Sequence, residues 1–182
     1  WQSMPRLMEQ TNADHLFICG DLFGGGKGDG STLEACWDEW DRYVATFKNP
    51  EKVHGVLGGH EFYPRDDGLD PKAYYLNRYH APPRRAIRED DTLFILMDNM
   101  HSPTFFDEQG LEWLEKTLKQ NADARHTFLF HHVGPRNTLN WWNDTNLPTE
   151  IIPNRLHGDE WREKFAAILE KYDITAAFSG HD

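Results

Sequence analysis

The feature that most constrains this chain is a device used five times: a short apolar run that stops abruptly at a histidine or a carboxylate. Leu16-Phe-Ile-Cys19 runs into Gly20-Asp21, Val53-His-Gly-Val-Leu57 into Gly58-Gly59-His60-Glu61, and Thr92-Leu-Phe-Ile-Leu-Met97 into Asp98-Asn99. His126-Thr-Phe-Leu-Phe130 runs into His131-His132, and Ile174-Thr-Ala-Ala-Phe178 into Ser179-Gly180-His181-Asp182. Runs of this length, rich in strand formers and too short for stable helices, read as strands buried on both faces. Open α/β sheets bind ligands at the carboxyl ends of such strands. Asp, His and Glu brought to one such edge supply donors for a hard or borderline divalent cation.

Between the runs the spacing changes from strand to helix. Leu33, Trp37, Trp40, Val44 and Phe47 keep one apolar stripe, with Ser31 or Thr32 as cap and Glu34 in the first turn, which predicts a helix ending before Asn49-Pro50. The strand, helix, strand order then suits parallel pairing. Leu111, Leu114 and Leu118 predict a second helix capped by Asp107, and Trp161, Phe165, Leu169 and Tyr172 a third. Met4, Leu7 and Met8 predict a helix ahead of the first strand. Two stretches carry no sustained period. Phe62 to Arg88 reads as surface loop with a helical turn near Tyr74, and Val133 to His157 as a long loop of the kind that carries function in compact domains.

The 182 residues suit a single α/β domain spanning 1–182. Thirty acidic residues against nineteen basic ones give a net charge of −11, which repels a nucleic-acid backbone. Bound cations would cancel part of that charge locally, so a phosphoester is still drawn to a metal centre. No apolar run approaches the roughly 18 residues that span a bilayer. Cys19 and Cys36 form no metal motif, and nothing in their spacing requires a disulfide. The stretch Gly24-Gly-Gly-Lys-Gly28 is not a P-loop, because Gly28 stands where Ser or Thr should follow Lys27. Asp21 to Asp29 lacks the alternating acidic residues of an EF-hand.

The ordered set Gly20-Asp21, Gly58-Gly59-His60-Glu61, His131-His132 and Gly180-His181-Asp182 resembles the calcineurin-like metallophosphoesterases, the purple acid phosphatase branch included. Leu111-Glu-Trp-Leu114 and Phe178-Ser-Gly-His181 are also similar to that family, so the likeness runs from end to end. The resemblance implies mixed sheets flanked by helices in a four-layer αββα sandwich. It also implies hydrolysis of phosphate mono- or diesters through a hydroxide bridging two divalent or trivalent ions, Fe, Zn, Mn or Ni. Carried over by position, Asp21 bridges the ions, and His131 and His181 ligate one of them. His60 contacts the phosphate and protonates or stabilises the leaving oxygen, with Glu61 orienting it. Arg136, Trp141 and Trp142, just past His131, are candidate walls of the substrate site.

The chain departs from the family pattern in three places. That pattern opens with an Asp-x-His pair before Gly-Asp and closes with Gly-His-x-His; neither outer end is present, which predicts a fragment of a longer protein. Gly59 stands where the family has a metal-ligating asparagine, so that position is expected to be empty, filled by water, or taken over by Glu61. A non-catalytic binding or scaffolding domain of the same fold is the alternative. Phe23 is the aromatic nearest Gly-Asp, where the purple branch has a tyrosine ligand, so no iron-tyrosinate colour is predicted. Plainer readings stand beside the site residues: Asp21 as a turn aspartate, His60 as a loop histidine, Asp98 as a hydrogen-bonding strand end. One of His131 and His132 is structural, since successive strand residues point to opposite faces, and motif position selects His131 as the ligand.

Overall fold

The computed structural model describes residues 3–25, 28–63, 65–80, 82–98, 108–134 and 159–181. Asp107, Arg136, Trp141, Trp142, Asp182 and the side chain of Trp161 lie outside the described residues.

Strands β1 (Leu16–Ile18) and β2 (Val53–Gly55) pair in parallel, Leu16 opposite Val53. Strands β3 (Arg85–Glu89), β4 (Thr92–Met97), β5 (His126–Val133) and β6 (Ala176–Gly180) form a second sheet in that order, antiparallel between β3 and β4 and parallel thereafter. Helix α1 (Met4–Thr11) precedes β1, and α2 (Leu33–Val44) connects β1 to β2. The short α3 (Gly59–Phe62) and α4 (Pro71–Tyr79) follow β2, while α5 (Glu108–Gln120) and α6 (Asp159–Lys171) separate β4, β5 and β6 in the chain. Thr32 caps α2 as expected, its hydroxyl accepting from the Ala35 amide at 3.2 Å.

Period-two alternation sorts these strands into layers. Leu16, Ile18 and Val53 pack with Leu33, Trp37 and Trp40 of α2 and Tyr75 of α4. Phe17, between them in sequence, points the other way and stacks on Phe130 of β5 with ring centroids 4.1 Å apart. There it joins Val56 and Leu96 in a layer between the sheets. Leu93, Ile95 and Met97 of β4 face away from that layer and pack against Leu114 of α5 and Phe165 of α6. Three apolar layers therefore separate four strata, helices on sheet on sheet on helices. Leu129, 0% exposed, sits in the layer under α5 and α6, and its truncation to alanine would cost roughly 2–5 kcal/mol.

The mixed α/β class and the two stacked sheets of the four-layer sandwich are as expected, with one correction. Residues 62–88 are not a surface loop. Asp70 caps α4 with its carboxylate on the Ala73 amide, Pro71 opens the helix, and left-handed His80 (φ 50°) closes it. A strand, β3, follows and turns into β4 at Asp90 (φ 50°). Neither element shows an apolar period: α4 fully buries only Tyr75, and β3 is an edge strand carrying Arg85, Arg88 and Glu89. Both cysteines are free thiols. Among the described residues no helix is long and apolar enough to cross a membrane.

Candidate metal centre

The carboxyl ends of β1, β2, β5 and β6 meet at one rim, and glycines make the approach possible. A Cβ on Gly20 would come within 2.3 Å of His132 Nδ1, one on Gly58 within 2.5 Å of Asp21 Oδ1, and one on Gly180 within 2.5 Å of the Cys19 carbonyl oxygen. Three turns thus close around one imidazole, that of His132. Gly20 also has φ at +92°, a region glycine enters freely. Asp21 (φ 52°) and His181 (φ 69°) hold a left-handed backbone without glycine's freedom, as do Asn12, His80 and Asp90 elsewhere.

Asp21, His132 and His181 each offer a donor within 4.8 Å of the others. His132 Nδ1 donates to the Cys19 carbonyl at 2.7 Å, which leaves a lone pair on Nε2 of the neutral ring. That Nε2 lies 3.0 Å from His181 Nδ1 and 3.4 Å from Asp21 Oδ1. A carbonyl that fixes the tautomer of an imidazole in this way also aims its lone pair. Atoms bonded at about 2.0–2.2 Å to one ion come to separations of this size. Two imidazole nitrogens and a carboxylate fit a borderline divalent cation such as Zn, Fe, Mn or Ni.

His131, the expected ligand, lies outside the group of Asp21, His132 and His181, and the β5 histidine in that group is His132. Along β5, Phe128 and Phe130 face the layer between the sheets and His132 follows them, whereas Leu129 and His131 face α6. His131 is 1% exposed, edge-on to Phe165 at 5.6 Å, and donates from Nδ1 to the Val133 carbonyl at 2.9 Å. Burial pushes its pKa down to about 4. Asp98, also buried at the end of β4, stands outside the donor group.

His60 and Glu61 lie on α3, against the Asp21 turn. The His60 amide donates to Asp21 Oδ1 at 3.1 Å, and its ring Nδ1 donates to the Gly25 carbonyl at 3.1 Å. Its other nitrogen, Nε2, comes to 4.0 Å from Asp21 Oδ2 on a side chain 36% exposed. Glu61 does not touch that ring. One of its oxygens accepts from the Leu22 and Phe23 amides, at 2.7 and 3.4 Å, and the other from the amides of Gly58 and Asp21. Glu61 therefore pins the Asp21 turn to the start of α3 instead of orienting His60. Burial pushes its pKa up to about 7 and Asp21 adds to that rise, while the Gly58, Leu22 and Phe23 amides oppose it.

A model of the calcineurin-like phosphoesterases matches residues 1–182, the full length of the chain. The chain belongs to that family. Metal-dependent phosphoester chemistry is the family's general activity, and two sheets flanked by helices are its fold. No curated protein matches the chain. In this calcineurin-like phosphoesterase, Gly59 is buried at the first position of α3 and offers no side-chain donor. Glu61 does not take over that role, because amides occupy both of its oxygens.

Proposed function

We propose that this chain carries the core of a hydrolase for phosphate mono- or diesters, with Asp21, His132 and His181 holding one divalent ion and the second Asp21 oxygen shared with another. The observation that carries the reading is the aimed lone pair of His132, 3.0 and 3.4 Å from the other two donors. Cations bound there would lower the pKa of a coordinated water and screen the phosphoryl oxygens. The remaining steps fall to the chain's own groups. His60 spends its Nδ1 proton on Gly25, so the protonated ring has its other proton, on Nε2, to give to the leaving oxygen. Glu61 holds the backbone of Asp21, Leu22 and Phe23 so that the carboxylate stays at the rim.

Elemental analysis of the purified protein, together with hydrolysis of an aryl phosphate monoester and diester, tests this. The expected result is one or two ions per chain and hydrolysis that disappears with the ions. Absence of stoichiometric metal after equilibration with Zn, Mn, Fe or Ni would overturn it. A second reading, a metal-binding domain without turnover, is favoured by Gly59 and by the committed oxygens of Glu61. Bound metal without hydrolysis of either ester would select it.

A further inference from the structure

Arg65 lies just beyond α3 with a side chain 0% exposed. A guanidinium in such a place is costly unless its donors are met, and for folding alone an apolar side chain of similar size often serves as well. Its two terminal nitrogens are met by the segments that surround His60. Nη2 donates to the His60 carbonyl at 2.8 Å and Nη1 to Ser31 Oγ at 2.9 Å. Asp29 Oδ2 is 3.7 Å from Nη1, the Phe23 ring lies 5.4 Å from the guanidinium carbon, and Nε has no hydrogen-bond partner among the described residues. Asp29 in turn accepts from both the amide and the hydroxyl of Ser31.

Gly25 closes the circuit. A Cβ there would fall 1.9 Å from Asp29 Oδ2 and 3.0 Å from Arg65 Nη1, so its backbone rests directly on that ion pair, with φ at +85°. Its carbonyl is the acceptor for His60 Nδ1. Arg65 thereby holds His60 twice: by the main chain directly, and by the ring through Asp29 and Gly25.

We propose that Arg65 is a positioning residue that fixes the tautomer and direction of His60, keeping its Nε2 turned toward Asp21. The inference rests on the role given above to His60, but its first test does not need turnover. In the metal-free protein at mildly alkaline pH, long-range proton–nitrogen spectra should show His60 as the Nδ1–H tautomer. Arg65→Met should shift it toward Nε2–H, while bound-metal stoichiometry stays as in the parent. A folded Arg65→Met protein that keeps the Nδ1–H tautomer overturns the proposal. Should that variant not fold, Ser31→Ala and Asp29→Asn, whose side chains reach solvent, decide it by the same spectrum. Where the parent turns over, these variants should slow an alkyl phosphate about 10-fold or more, a part of the roughly 100-fold or more that general acid catalysis supplies, and an ester with an acidic leaving group far less. An equal loss on both esters would mean that Arg65 serves the fold and not His60.

Discussion

Among the described residues two histidine pairs have the same nitrogen-to-nitrogen separation of 3.0 Å, one at each end of the stacked sheets. At the carboxyl ends, His132 Nε2 meets His181 Nδ1, and at the opposite end His15 Nδ1 meets His54 Nε2. They differ in where the acid sits. Asp21 converges on the same side as the first pair's contact, so three donors look into one space. Glu89 instead takes the far nitrogen of His15 at 2.9 Å and is itself gripped by Lys52. The second pair therefore ties β3 to β1 and β2 across the sheets, with its electrons turned inward and a cation alongside. Of two close pairs of imidazoles, the one whose third donor faces the gap is the better candidate to hold a cation.

The largest contrast should come from removing the acids. Asp21→Asn is expected to lower metal affinity on the order of 100-fold, whereas Glu89→Gln leaves it unchanged; titration calorimetry with Zn or Mn measures both. Equal loss in the two variants would break the comparison. Next in size is the room around His132. Gly20→Ala would drive a Cβ to 2.3 Å from His132 Nδ1 on a left-handed backbone, costing about 2–4 kcal/mol and displacing a ligand. Gly30→Ala has similar backbone strain (φ +80°) but nothing within 4 Å, so it should cost about 1 kcal/mol and spare metal binding. Urea unfolding with and without metal separates the two.

Much of this was legible in the chain and some was not, for physical reasons. The buried strands β1, β4 and β5 announce themselves because both faces are apolar, and α2 and α5 because their stripes are long. The edge strand β3 and helix α4 bury too little to leave a pattern. That Asp21 and His181 come to one rim was readable from the strand ends that carry them. His132 was half-readable: alternation requires that His131 and His132 point apart, but which face of β5 looks toward the rim depends on how the sheets stack, through contacts such as Phe17 on Phe130. Glu61 was recognised as important and given the wrong partner, since nothing local shows that the amides of residues 21–23 come to it across 38 to 40 positions. Arg65 had no sequence signal at all, being one arginine in a polar stretch.

A pH titration sharpens the comparison on the structural pair. Burial holds the His54 pKa down at about 4 against an ordinary 6.5, with Arg85, His15 and Lys52 adding to the effect and Glu89 opposing it. At His54 the unfolded chain then binds more protons than the folded one between those values, so this histidine's share of the stability should fall as pH drops from about 6.5 to about 4, against the opposite contribution of Glu61, whose pKa is raised to about 7. His131 contributes in the same direction and window. His54→Phe, which preserves the stack with His15 and Phe17, should flatten part of the slope and leave the His131 share. Thermal melts across that range give both slopes, and parallel lines would mean that His54 does not titrate with folding.

The smallest effect should come from Glu89 itself. Lys52 and then His15 hold its carboxyl down at about 2, so its contribution is present above about 4.5 and lost as pH falls toward 2. Its side chain is 41% exposed, and ion pairs in that setting are weak and screened by salt. Glu89→Gln should therefore lower the melting temperature slightly at neutral pH, and added salt should erase the difference. A large drop that survives high salt would mean that His15 and His54 depend on this carboxylate for their arrangement, making the far end of the sheets as finely set as the rim.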